Sequence, residues 1–190
     1  TDLSNKKLLP YEISKTKSEK KMWDIANGSS INVCAVNPVL VIGPSMSGIL
    51  SMSNRLTVKK LFSLPLVPDV SISVVGVQDV AKAHVMAMEN DAANGKRFLL
   101  SEKTIKLKDL SYILKSAGFT KVPTLVIPNF LLKFIALFIP SLRMIAKRLG
   151  KEEKLYTKNA NDILGWLPES ADAEIINSAK QLYNMGILKK

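Results

Sequence analysis

Tyr11 and Lys15 stand four residues apart in the segment YEISK, a spacing that puts two side chains on one face of a helix. A phenol is a weak acid, and an ammonium held beside it favours the phenolate. The pair would therefore make a proton donor and acceptor tuned toward neutral pH. In a lysine-rich chain with four tyrosines the spacing alone carries little weight. It equally describes a tyrosine packed on a neighbouring element beside a solvated lysine.

The elements around the pair give it direction. Glu12 to Asn27 predicts a helix with Ile13, Met22, Trp23 and Ile25 among its apolar positions and Gly28 as its stop. Ile31 to Val36 (INVCAV) is then a short apolar run of the kind buried in a parallel sheet, ended by Pro38. In open parallel sheets ligands bind outside the carboxyl ends of the strands, where the Asn37-Pro38 corner falls. Further on, Ile49 to Ser63 and Leu107 to Ala117 predict helices, the second closed by Gly118. Val70 to Val75 and Arg97 to Leu100 predict strands. Asp79 reads as the N-cap of a further helix that carries His84, the only histidine, hydrogen-bonded at a packing interface. Cys34 falls inside the first strand pattern, as an inert core thiol. One cysteine allows no intrachain disulfide, and no Cys/His cluster offers a transition-metal site, so no metal is expected.

In order along the chain, YEISK, NPVLVIGP (Asn37 to Pro44), VQDVAKAHVMAM (Val77 to Met88), GKRFLLS (Gly95 to Ser101) and LGWLPES (Leu164 to Ser170) resemble the landmarks of extended short-chain dehydrogenases/reductases, the NAD-dependent epimerase/dehydratase superfamily. The stretch IPNFLLKFIALFIPSLRMIAKRLG (Ile127 to Gly150) is similar to the helical region of bacterial relatives. Dihydroflavonol-reductase-like and bacterial aldehyde-reductase-like members look nearest.

The resemblance implies an α/β fold, the C-terminal part of a Rossmann-type parallel sheet with a smaller, mostly helical substrate lobe. Residues 1–44 and 75–100 would belong to the dinucleotide-binding domain, and 45–74 and 101–190 to the lobe. It further implies a carbonyl reductase using NADP(H) or NAD(H), with a slight preference for NADP(H), on a small-molecule carbonyl substrate. Tyr11 would give the proton and Lys15 would tune it and hold the nicotinamide ribose. The backbone of Pro38, Val39, Leu40 and Val41 would turn beside the nicotinamide, and Ser53 falls where relatives place a serine near cofactor or substrate. Met46, Ile49, Leu50 and Met52 suggest an apolar substrate pocket, with core packing of that helix as the equal alternative. A nucleotide-sugar epimerase/dehydratase of the same superfamily is the enzymatic alternative. A non-catalytic cofactor-sensing or peripheral membrane protein is the alternative from another class.

Two departures from the family pattern bear on activity. The glycine-rich turn that holds the pyrophosphate is not found, since Gly43 and Gly48 read as loop punctuation. Nor is the family's Ser or Thr upstream of the tyrosine, because Thr1 and Ser4 stand too close to Tyr11. The expectation is a C-terminal portion of a longer enzyme, inactive by itself.

The chain has 190 residues, 47% of them hydrophobic and 23% charged, which is ordinary for an α/β protein. Its net charge of +11 invites nucleic acid as a partner, but Glu12, Glu19, Glu152 and Glu153 interleave the basic clusters and aromatics are only 6%. A solvated basic surface is expected instead, with room left for a homodimer. Pro123 to Ile139 is strongly apolar, yet Lys133 interrupts it and Pro128 and Pro140 bracket it, too short for a transmembrane segment. A lobe helix packed on the sheet or on a partner is expected there. No targeting segment is visible, so the cytoplasm is the default location.

Overall fold

The computed structural model describes residues 8, 10–49, 51–152 and 155–189, and all of these but Ser141 with their side chains. Helix α1 (Pro10–Ala26) starts on a proline, whose fixed φ suits a first turn. It ends before Gly28, which takes a left-handed φ of 80° that a side chain would resist. None of its described residues is buried.

The chain then returns through a lead-in rather than a strand. Ile31 is exposed, and Val33 is held by the opposite loop, accepting from Gly95 N at 2.8 Å and donating its N–H to Asn94 Oδ1 at 3.1 Å. The strand begins only at β1 (Ala35–Pro38), later than the apolar run predicts, because ladder partners exist only from Ala35 onward. Cys34 is therefore a half-buried, free thiol ahead of the strand.

Pro38 to Val41 is where the chain passes between two strands. Pro38 ends β1 and Leu40 opens β2 (Leu40–Ile42), with a bend at Val39. The Val39 N–H donates to Leu100 O at 3.0 Å. β1 pairs in parallel with β4 (Arg97–Leu100), and β2 pairs in parallel with β3 (Ser71–Gly76). The chain thus bends at Val39, where it passes from one sheet to the other. β5 (Lys103–Lys106) closes the second sheet, antiparallel to β3.

The helix predicted from Ile49 spans Met52–Phe62, as α2 (Met52–Asn54), a π-helical turn (Arg55–Lys59) and α3 (Lys60–Phe62). Val58 and Leu61 are buried in the core. Ile49 and Met52 are exposed and Met46 fully so; Leu50, like Thr1 and Ser4, lies outside the described residues. Met46 borders a hollow with Gly43 and Pro44, while the inward positions of the helix, Val58 and Leu61, are spent on packing.

β3 runs straight into α4 (Val77–Met88), so Gly76, with extended angles, takes the cap position. Asp79 is thus inside the first turn, not the N-cap. His84 is on this helix as expected but exposed, its Nδ1 2.7 Å from Val80 O, not at a packing interface.

After β5 come α5 (Leu107–Ser116), α6 (Asn129–Phe138), α7 (Arg143–Arg148), α8 (Lys158–Leu164) and α9 (Ala171–Asn184). α9 buries Ala171, Ile175, Ala179 and Leu182, a single stripe at helical spacing. That stripe joins Ile42, Val74, Leu110 and Leu114 in the larger apolar cluster. The smaller cluster holds Val75, Ala83, Phe98, Leu100, Ala160 and Trp166. Trp166, from LGWLPES, donates its indole N–H to Asp79 O at 2.9 Å, which ties this segment to the start of α4. No described helix is long and apolar enough to cross a membrane.

Candidate active site

Tyr11, Lys15 and Glu19 follow at i, i+4 and i+8 on α1 and share one face. Lys15 Nζ stands 5.7 Å from the centroid of the Tyr11 ring, over its face, so the pair is joined as the spacing predicts. Glu19 fixes the helix to the sheet. Arg97, the first residue of β4, donates from Nε to Glu19 Oε1 at 2.6 Å and from Nη2 to Oε2 at 3.3 Å. This planar fork sets an orientation as well as a distance. The Arg97 hydrogen bond holds the Glu19 carboxyl below its ordinary pKa, against the opposing effect of partial burial.

With Trp23 and Asn37 these side chains line a groove of about 480 Å³ between α1 and the β1–β4 pair. Asn37 is the residue before the end of β1, so the groove reaches the carboxyl end of that strand. Asn37 Nδ2 is buried and has no hydrogen-bond partner among the described residues, a donor awaiting an acceptor. Tyr11 is 70% exposed, so the groove is open on the phenol side.

Pro38 is exposed beside Asn37, and Val39 and Leu40 are half-buried in the segment that follows. Val41 and Ser53 line a different hollow, of about 360 Å³, with Gly43, Pro44, Met46 and Gln78. Ser53 does not enter the Tyr11 groove; its carbonyl accepts from Thr57 Oγ1 at 2.6 Å. The structure thus brings together Tyr11, Lys15 and the Asn37 corner, and sets Val41 and Ser53 apart.

The second hollow is shaped by close packing at Gly43. A Cβ there would lie 2.2 Å from Val77 Cγ1 and 2.8 Å from Glu174 Oε2, so no side chain fits without displacing α4 or α9. Gln181 of α9 pins the loop, accepting from Ser45 N at 2.8 Å and donating to Ser45 O at 2.7 Å. Burial raises the pKa of Glu174, and the nearby Asp79 and Glu169 carboxylates add to it. Asp79 itself is buried and accepts from Glu169 N at 2.9 Å. Among the described residues no group of three or more His, Cys, Asp or Glu could hold a metal ion.

Sequence reasoning did not single out Glu19, Arg97 or Gln181. Glu19 was findable from its i+4 spacing to Lys15. Arg97 and Gln181 act through partners 78 and 136 residues away, and no local pattern announces that.

A family model described as the NAD dependent epimerase/dehydratase family matches residues 2–100. The chain belongs to this family. Among curated proteins it is similar to a cinnamoyl-CoA reductase of Medicago truncatula, 31% identical over 128 residues, which are 67% of this chain and 38% of that protein. It is also 31% identical over 112 residues to a putative NADPH-dependent methylglyoxal reductase of Candida albicans, covering 54% of this chain and 33% of that one. Among solved structures, Gre2 of Candida albicans in complex with NADPH superposes with a TM-score of 0.69 at 24% identity, over 97% of this chain and 55% of that chain. A nucleoside-diphosphate-sugar epimerase from Pseudomonas aeruginosa gives a TM-score of 0.76 at 16% identity, over 100% of this chain and 60% of its own. These likenesses establish the Rossmann-type α/β fold. The chain spans between about a third and six-tenths of the length of these four proteins.

Proposed function

We propose that this chain forms the proton-donating part of an NAD(P)H-dependent reductase of small-molecule aldehydes or ketones. The observation that carries this is the Tyr11–Lys15 pair, joined at 5.7 Å in a groove that reaches the carboxyl end of β1. The names of the relatives favour reduction over epimerisation, since those at 31% identity are called reductases, one of them NADPH-dependent.

The groove suits the nicotinamide end of a dinucleotide. Asn37 Nδ2 is an unsatisfied buried donor for a carboxamide or hydroxyl oxygen, and Lys15 offers an ammonium for a ribose hydroxyl. The backbone of Pro38, Val39 and Leu40, running on from Asn37, would border it, and Val41 would lie beyond, in the hollow beside Gly43. Among the described residues no glycine-rich turn stands before a helix to take the pyrophosphate, so the groove is matched to the nicotinamide end alone. A nicotinamide, when bound, supplies hydride to the carbonyl carbon.

The chain's own part is the proton. Tyr11 Oη donates it to the carbonyl oxygen as negative charge develops there, and the Lys15 ammonium stabilises the phenolate left behind. The Arg97–Glu19 fork keeps α1, and with it Tyr11, at a fixed distance from β1. Ser53, in the hollow beside Gly43, is assigned to the edge of the cofactor or substrate site, and the segments 45–74 and 101–190 to the substrate lobe.

The longer polypeptide that carries this chain should consume NADPH with a small aldehyde, read at the nicotinamide absorbance. The 190-residue chain alone should not. Turnover by the chain alone would contradict the division of labour drawn here, and interconversion of a nucleotide sugar without net NADPH loss would replace reductase by epimerase.

A further inference from the structure

α6 presents apolar side chains on two opposite faces. Leu132 and Ala136 are buried against the fold. Phe130, Phe134, Leu137 and Phe138, at i, i+4, i+7 and i+8, form a second stripe on the far side, with exposures of 59–75%. The Phe134 and Phe138 rings meet edge to face, centroids 5.4 Å apart, so the stripe is continuous. Ile139 and Met144, in the link to α7 and in α7 itself, extend it with further exposed apolar surface. Contiguous apolar surface of this kind marks a place where something docks.

The charge around it says what. From Leu110 to Lys151 the sequence holds seven Lys or Arg and no Asp or Glu. Lys133 borders the stripe on α6, and Lys147 and Arg148 end α7 beside it. Arg143 donates to Ala136 O at 3.3 Å and Leu137 O at 3.1 Å, so it holds α7 to the last turn of α6 and keeps the basic rim in register with the stripe. A second copy of this surface would bring Lys133 and Lys147 against their own counterparts, like charge against like. An anionic sheet with an apolar interior is the complement.

We propose that α6 and α7 dock on an anionic lipid surface. α6 lies in the plane of the headgroups, the Phe130–Phe134–Leu137–Phe138 stripe enters the acyl boundary, and Lys133 and Lys147 meet lipid phosphates. With ten residues, α6 is far too short to span. The site does not depend on Tyr11 or Lys15 and stands or falls separately from the reductase activity.

Flotation of the purified chain with phosphatidylcholine vesicles, with and without phosphatidylserine, tests this. Association is expected with the phosphatidylserine vesicles only, weakening as salt is raised. The double variant Phe134→Glu/Phe138→Glu should lose association, and Lys133→Glu/Lys147→Glu should weaken it by about tenfold or more while keeping the circular dichroism of the parent. Three results would overturn the proposal: no association with phosphatidylserine vesicles, equal association with both vesicle types, or association unchanged in both variants. A concentration-dependent dimer in sedimentation, broken by Phe134→Glu/Phe138→Glu and without vesicle association, would assign the stripe to a second copy instead.

Discussion

α1 and α9 flank the ends of the two sheets and are held there by opposite means. α9 buries five residues and is continuous with the larger core. α1 fully buries none of its described residues, and the forked Glu19–Arg97 pair ties it to β4. The proposed chemistry sits on the second kind of helix. A side chain that must meet a substrate cannot also be packed away, so α1 keeps Tyr11 open and leaves its placement to Glu19 and Arg97.

The sharpest way to break this contrast is to truncate one apolar side chain on each helix. Ile175→Ala should destabilise the fold by about 2–5 kcal/mol, whereas Ile25→Ala on α1 should stay within about 0.5 kcal/mol, both read from urea midpoints. Equal losses would mean that α1 is packed as α9 is. Gly43→Ala attacks the α9 side through Val77 and Glu174 and should cost about 1–3 kcal/mol by overpacking. Arg97→Ala attacks the α1 side. Its expected signature is local: amide exchange quickens along α1 while that of α9 is unchanged, because only α1 depends on the fork.

The smallest expected effect is in the pH dependence, where the two helices should show opposite signs. Glu19 has a depressed folded pKa, so its contribution is present above the unfolded carboxylate value and is lost as pH falls through the folded one. Glu174 has a raised folded pKa, so its contribution is full below the unfolded value and is lost as pH rises through the folded one. Glu174→Gln should therefore raise the Tm near neutral pH and not in acid. Glu19→Gln should lower it near neutral pH and leave it unchanged in acid.

Much of the fold was legible because it is locally encoded. Arg97–Leu100 forms the strand its apolar run predicts, and the helix from Leu107 stops one residue short of Ala117, with Gly118 at φ 90° beyond it. The Tyr11–Lys15 contact was legible for the same reason, since helical spacing alone creates it. Misplaced features depend on distant partners. Where β1 starts is decided by Arg97, the first ladder partner its residues meet. Asp79 lost its capping role because β3 enters α4 without a loop. The face α6 leaves exposed was illegible: its run is apolar all round, so periodicity cannot say which side is covered.

Tyr11→Phe removes one oxygen from the groove and leaves the ring, the Lys15 contact and the Glu19–Arg97 fork in place. In a polypeptide that carries this chain and is first shown to consume NADPH with a small aldehyde, with folding verified by circular dichroism, the variant's kcat for that reduction should fall by about 10²–10⁴-fold. A rate near that of the parent would contradict the assignment of the proton to Tyr11.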